Sequence, residues 1–336
     1  MAVLRMNQAI CRALADEMRA DPAVVVLGED VAAAGGVFKA TEGLLEEFGP
    51  LRVRDTPISE TAILGAAVGA AMAGMRPVAE IMFVEFLGVA LDQVVTQAAK
   101  MCYLSAGQFS VPLVVRASAG AGLGFGAQHS QTLETWLLNT PGLKVASPSG
   151  PRSAYRVLRA AIRDPDPVVV LEPRALYFVR EDFDPAAQPP ASLGTARRVR
   201  EGDAVTIVAL GQMVRVAAEA ADLVAQAWPV DLLDLETILP WDRRSVLESV
   251  ERTHRLIVVE ENPRTGGWGA DVVAHVVERG WDSLDAPPVR LTCPDVPVPF
   301  STALERRYLP SPQLVARQIE ALCSEGRALT PWWEER

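Results

Sequence analysis

Four segments carry residues whose types and spacing could do chemistry. In RDTPISETAILGAAVGAAMAG, Glu60 opens a helical pattern whose following positions are small. A carboxylate in a first helical turn suits the macrodipole, and that alone accounts for it. Gly65, Ala66 and Gly69 would also let another backbone come close, which would partly desolvate the carboxylate and make it a candidate for function. In AEIMFVEFLGVALDQVVTQAAK, Phe83 and Phe86 lie three apart across a strand-to-helix junction. Core packing explains either ring, whereas an exposed one could stack on a flat heterocycle. In SAGAGLGFGAQHSQ, Gly120, Gly122, Gly124 and Gly126 follow a strand and lead to His129. They do not fit GxGxxG, and the chain has no GxxxxGK[ST], so dinucleotide and P-loop readings fail. The glycines allow sharp bends and close approach to a ligand, and a surface loop with an ordinary histidine is the plain alternative. His254 and His275 sit in strand- or helix-like contexts and read as structural. In AAIRDPDPVVVLEP, Asp164 and Asp166 flank a proline and read as a turn. The sharper alternative is a cation site built from the Ala161 and Ile162 carbonyls plus Asp164.

These residues need elements to hold them. Short apolar runs alternate with longer helical patterns. Strands are predicted at Val24–Gly28, Pro77–Phe83, Val111–Ala117, Leu143–Ala146 and Val168–Leu171. A second set is predicted at Val205–Leu210, Val230–Leu235, Leu256–Glu260 and Val289–Thr292. Continuous runs such as VVVL and TIVAL suit strands buried on both faces, as in parallel sheets. Helices are predicted at Met6–Arg19, Glu60–Ala73, Phe86–Leu104, Arg152–Arg163, Met213–Gln226, Arg243–Val250, Gly269–Glu278 and Gln313–Cys323. Ser59 and Asp242 stand where N-caps belong. The fold class is therefore α/β. REDFDPAAQPPASLGTARRVREGD, residues 180–203, is rich in proline and charge and has no period. It reads as a linker over 183–203 between a first domain, 1–182, and a second, 204–336.

The 336 residues are 49% hydrophobic and 22% charged, which is globular composition. A net charge of −10 argues against nucleic acid and suits a basic protein partner. The four cysteines are scattered, with no CxxC pair, so neither a zinc site nor a disulfide scaffold is expected. A reducing cytoplasm fits best. MAVLRMNQAI lacks the order of a signal peptide, and no span is long enough for a membrane helix. Trp332 and Trp333 either tuck back onto the body or mark a contact surface.

Taken in order, GEDV, DTPISE, AE-x-x-F-x-x-F, DQ, GAQHSQ, PGLKV, AIRD, VVEEN and DVPVPFSTALE form one set. With them the chain, from about Met6 to Pro312, resembles the β subunit of the thiamin-diphosphate-dependent E1 component of 2-oxo acid dehydrogenase complexes. The resemblance implies a pyrimidine-binding parallel-sheet domain followed by a transketolase C-terminal-like α/β domain. It implies that Glu60 activates the cofactor, that Phe86 stacks on its aminopyrimidine, and that His129 is the active-site histidine. It also implies a potassium site at Ala161, Ile162 and Asp164, with Leu113 and Asp166. Asp166 replaces the usual Asn there, and Glu85 and Thr96 also depart from the pattern. The family's diphosphate and magnesium motif, GDG followed some thirty residues later by NN, is missing: the chain has only Gly28-Glu29-Asp30 and Gly202-Asp203-Ala204. The implied α subunit would then hold Mg²⁺ and the phosphates in an α₂β₂ assembly, with a lipoyl-bearing E2 as the acyl acceptor. Pyruvate is the first expectation for the 2-oxo acid, with acetoin or branched-chain oxidation as alternatives. Two rivals are a fragment of a transketolase-type synthase, which would carry the diphosphate motif itself, and a non-catalytic scaffold subunit.

Overall fold

The computed structural model of the chain describes residues 2–334. It divides into two compact units, one of Met1–Gly120 and Trp136–Leu193, the other of Ala121–Thr135 and Gly194 onward.

The first unit is built on strands β2 (Val24–Gly28), β3 (Val53–Asp55), β4 (Arg76–Phe83), β5 (Val114–Ala119), β6 (Lys144–Ala146) and β7 (Val168–Pro173). They pair in parallel in the order β6-β7-β5-β4-β2-β3. Every residue of β5 and β7 is buried, the apolar starts of both strands in the core and their Arg116 and Glu172 paired with each other. Helices α1 (Met6–Ala20) and α7 (Pro151–Arg163) cover one face with Met6, Ile10, Leu14, Val157 and Leu158, all in one core. Glu17 of α1 is buried between them and accepts from Arg159 at 2.7 Å and Arg163 at 2.8 Å. This unit also has α2 (Leu44–Phe48), α3 (Glu60–Met72), α4 (Leu87–Asp92) and α5 (Ala99–Leu104). The span 86–104 was expected to be one helix. It is instead a 3₁₀ turn at Val84–Phe86, then α4, a π-helical turn at Gln93–Ala98, then α5. A π turn is a single-turn insertion inside an otherwise helical run, so a helical pattern over the whole span does not mark where it falls. Strands β1 (Ala2–Arg5) and β8 (Arg180–Phe183) pair antiparallel. The one-turn α6 (Thr135–Leu138) follows the glycine-rich segment.

The second unit contains β9 (Arg197–Arg200), β10 (Val205–Ala209), β11 (Val230–Asp234), the short β12 (Thr237–Leu239), β13 (Leu256–Pro263) and β14 (Val289–Cys293). Five of these form a sheet in the order β14-β13-β10-β11-β9, parallel except for β9. Its helices are α8 (Met213–Val224), α9 (Arg243–Thr253), α10 (Gly269–Gly280), α11 (Thr302–Tyr308) and α12 (Pro312–Glu325). Val205, Ile207, Ala217, Ala221, Val315 and Ile319 share its core.

The segment read as a linker carries structure. Its RRVR run is the antiparallel edge strand β9, and the division between units falls at Leu193/Gly194. Arginine on an exposed edge hides a strand from hydropathy, because only alternate positions need be apolar. Residues 121–135 group with the second unit, which sequence order alone does not suggest. Asp242 caps α9, accepting from the Ser245 amide at 3.0 Å. Ser59 precedes α3, but its side chain makes no cap bond. Trp332 tucks back, donating its indole N–H to the Arg307 carbonyl at 2.9 Å. No helix among the described residues is long and apolar enough to cross a membrane.

Candidate active site

Glu60 stands at the head of α3 and is half-buried. The next residue fixes that helix start: Thr61 donates its hydroxyl to the Val89 carbonyl at 2.9 Å. Val89 lies in α4, three residues after Phe86, so the two expected site segments are joined by a hydrogen bond. A Cβ at Gly65 would come within 3.2 Å of Gln93 Oε1, so this glycine lets α3 approach the π turn of its own chain. Ala62, Ala66 and Gly69 remain exposed on the other side of α3. Glu29, at the end of β2, is a neighbour that sequence reading did not single out. Its carboxyl is raised by burial and then by the charges of Glu60 and Asp30.

Phe86 ends the 3₁₀ turn after β4 and is half-buried. Phe83 meets it edge to face, with centroids 5.8 Å apart and rings at 86°. Phe83 is itself held by the Arg174 guanidinium, 4.7 Å from its centroid, and by the edge-on ring of Phe38 at 6.2 Å. Phe38 stacks on Tyr177 at 4.6 Å, and the Tyr177 hydroxyl donates to Glu172 at 2.7 Å. Glu172 and Glu80 bracket the buried Arg116, with bonds of 2.8 and 2.9 Å to Glu172 and 2.6 Å to Glu80. Burial disfavours the Arg116 charge, but the two carboxylates outweigh it and push its pKa up. Burial raises the Glu80 carboxyl, and Arg116 opposes that. The floor beneath Phe86 is thus a chain of rings ending in a paired ionic core, which resists rearrangement.

His129 belongs to the second unit and is half-buried. The glycines before it adopt φ of 86° at Gly120, 110° at Gly122, 72° at Gly124 and 72° at Gly126. These conformations turn loop N–H groups toward two protein carboxylates. Glu305 of α11 accepts from Gly122 at 2.9 Å and from Gly124 at 3.0 and 3.2 Å. Glu261 accepts from Ala121 at 2.6 Å and from the Gln212 amide at 2.5 Å. The loop is therefore held, with the amides of Ala121, Gly122 and Gly124 engaged by protein carboxylates. Beside it, a cavity of about 690 Å³ is lined by Ser130, Gln131, Thr132, Glu261, Asp295 and Tyr308, among others. Asp295 accepts from the amide and hydroxyl of Thr265, which hold its carboxyl low.

The residues expected to hold potassium come together in the first unit, but not as an open carboxylate site. Lys144 takes the Asp164 carboxylate at 2.7 and 2.8 Å and the Asp166 carboxylate at 3.0 Å. Burial works against the Lys144 charge, yet these carboxylates outweigh it and raise its pKa. Arg76 donates to the carbonyls of Ile162 at 2.9 Å and Asp164 at 3.3 Å. The Ala161 and Leu113 carbonyls accept from Asp164 at 3.3 Å and from Val168 at 2.9 Å. The Asp164 and Asp166 carboxylates are thus taken by Lys144, and the main-chain carbonyls of Leu113, Ala161, Ile162 and Asp164 each accept one hydrogen bond, which leaves a second lone pair on each for a potassium ion.

Residues 3–179 match the transketolase pyrimidine binding domain, and residues 194–315 match the transketolase C-terminal domain. The chain is 42% identical over 326 residues to the mitochondrial pyruvate dehydrogenase E1 component subunit beta-2 of Oryza sativa subsp. japonica, covering 95% of this chain and 86% of that protein. It is 42% identical over 327 residues to the pyruvate dehydrogenase E1 component subunit beta of Rhizobium meliloti, covering 96% and 70%. The chain belongs to the E1 β subunit family of 2-oxo acid dehydrogenases. The acetoin:2,6-dichlorophenolindophenol oxidoreductase subunit beta of Bacillus subtilis is also 42% identical, covering 95% of this chain and 97% of that protein. A solved structure described as "Split gene transketolase, inactive beta4 tetramer" superposes with a TM-score of 0.78 at 24% identity, over 96% of this chain and 99% of that one, and shares the fold.

Within this E1 β-type chain, several residues that support the candidate residues inside each unit were not visible from sequence. Glu29, Arg174, Glu261 and Glu305 each act across long stretches of chain. Glu305, for example, reaches amides 181 and 183 residues away. Their only sequence signal was membership of the strings GEDV, VVEEN and DVPVPFSTALE, and Arg174 had none.

Proposed function

We propose that this chain is the β subunit of an α₂β₂ E1 that decarboxylates a 2-oxo acid, pyruvate first, and passes the acyl group to a lipoyl group on E2. The observation that carries this reading is the Thr61–Val89 bond, which joins the carboxylate-headed helix to the segment bearing Phe86. A carboxylate and a supported aromatic ring on adjoining elements suit a flat, basic heterocycle such as the aminopyrimidine of thiamin diphosphate. The chain lacks GDG followed by an Asn pair, so the diphosphate and its Mg²⁺ fall to the α subunit. When bound, thiamin diphosphate supplies an acidic thiazolium C2–H and an electron sink for loss of CO₂.

In this reading Glu60 shares a proton with the pyrimidine N1′, which requires a carboxylate of the right length. Phe86 stacks on the ring face, and Phe83 sets its tilt. In the overall change the 2-oxo acid loses its carboxylate as CO₂, breaking a C–C bond. The electron pair left on the acyl carbon opens the lipoyl disulfide: one sulfur forms the thioester and the other takes a proton. His129 can orient the incoming group and deliver that proton. Potassium, if bound by the carbonyls of Leu113, Ala161, Ile162, Asp164 and Asp166, takes no part in these steps.

The Bacillus relative favours acetoin as the second reading, since it matches as closely as the pyruvate dehydrogenase subunits. The test is to purify the chain with and without its α subunit and to follow reduction of the dye 2,6-dichlorophenolindophenol, which takes the electron pair in place of the lipoyl disulfide. Pyruvate, acetoin and branched-chain 2-oxo acids are offered in turn. Turnover of pyruvate by the pair, and none by either chain alone, is expected. Turnover by this chain alone would contradict the shared-cofactor reading, and turnover of acetoin only would replace the substrate.

A further inference from the structure

We propose that Glu305 is a positioning residue that clamps the glycine loop and so sets the place of His129; this rests on the reading of His129 given above. Glu305 is 2% exposed, and its carboxylate receives the amides of both Gly122 and Gly124. The loop lies flat on the segment that carries Glu305. A Cβ at Gly126 would meet Phe300 Cδ2 at 3.0 Å, and one at Gly124 would meet Thr302 Cγ2 at 3.2 Å. Both positions also have left-handed φ, so only glycine combines this backbone with this closeness. The entry to the loop is fixed in the same way. Ala121 is buried with Cys293, Val298 and Tyr308, and its amide is held by Glu261. His129 follows only three residues after Gly126, whose carbonyl accepts its amide at 3.3 Å. A histidine on a free loop would spend most of its time out of line, whereas a clamp of charge-assisted bonds holds it near one geometry.

The clamp separates two functions that share one enzyme. Acyl transfer to the lipoyl group would need His129 in place. Decarboxylation read out by a dye would need Glu60, Phe86 and the cofactor, and no lipoyl partner.

The experiment uses the E1 assembled with its α subunit, with E2 as the acyl acceptor. Wild type, Glu305→Gln, Glu305→Asp and His129→Ala are compared. Three quantities are followed: hydrogen exchange of the peptide covering 121–130, dye-linked turnover, and acylation of E2. Glu305→Gln removes the charge, and Glu305→Asp keeps it but is too short to span both amides. Both are expected to speed exchange of the loop by about tenfold or more, the size of one lost charge-assisted bond. Both should lower E2 acylation by a similar factor and leave dye-linked turnover within about twofold, which also shows that the variants fold. If Glu305→Gln does not fold, Glu305→Asp decides. Unchanged loop exchange overturns the proposal. Faster exchange with unchanged E2 acylation also overturns it where His129→Ala lowers acylation. If His129→Ala leaves acylation untouched, the reading of His129 has failed instead, and loop exchange alone decides whether Glu305 is the clamp.

Discussion

The Thr61 hydroxyl donates to the Val89 carbonyl at 2.9 Å, so the helix headed by Glu60 is fastened one residue from that carboxylate to the helix that begins beside Phe86. One bond thus couples the group that would hold a proton to the ring that would hold the heterocycle. A Cβ at Gly65 would sit 3.2 Å from Gln93 Oε1, so α3 also lies close to the π turn there.

Phe86→Ala is expected to weaken cofactor binding. An aromatic contact contributes on the order of 0.5–1.5 kcal/mol beyond burial, which corresponds to a rise in half-saturation of roughly 2- to 10-fold. Turnover at saturating cofactor should change less. The measurement is dye-linked turnover of the assembled enzyme against thiamin diphosphate concentration. An unchanged half-saturation would remove Phe86 from the site.

Asp242 gives a pH-dependent expectation. Burial raises its carboxyl, but the Ser245 and Ala196 amides, at 3.0 and 2.9 Å, outweigh that and hold it below its ordinary value of 3.8. A depressed folded-state pKa stabilises the protein above 3.8, and that stability is lost as pH falls through the folded-state value. Asp242→Ala should therefore cost about 1 kcal/mol near neutral pH, the usual size of a lost cap. The gap from wild type should narrow in acid. Denaturant unfolding at pH 7 and at decreasing pH below 4 checks this, and a gap that stays constant would contradict it.

Asp242 and Ser59 show what local sequence can and cannot say. Both stand at helix starts, yet only Asp242 bonds into its helix, because Ser59 has φ −166° and ψ 76° and its side chain finds no amide. Strand β2 was legible residue for residue, since VVVLG is buried almost throughout. Strand β9 was not, because RRVR lies on an edge. The helix α11 escaped notice because seven residues after a proline-rich run give too little period to read. Among the candidate residues, Glu60 and Phe86 of the first unit and His129 of the second could be singled out from their strings. The residues that support them could not, because support comes from the tertiary fold. Lys144 is the clearest case: its ammonium answers the carboxylates that read as potassium ligands.

Glu60 is the centre of the account. Glu60→Gln keeps the size of the side chain and removes its basicity. A positioned acid–base group is worth roughly 10²–10⁴-fold in rate, so turnover should fall by that order while cofactor half-saturation moves far less. The most direct measurement is the exchange of thiamin diphosphate C2–H for deuterium, followed by NMR in the enzyme assembled with its α subunit. Exchange slowed by roughly 10²-fold or more in Glu60→Gln is the expected result. Exchange as fast as in the parent would mean that Glu60 is only a helix-start carboxylate, and would contradict the account.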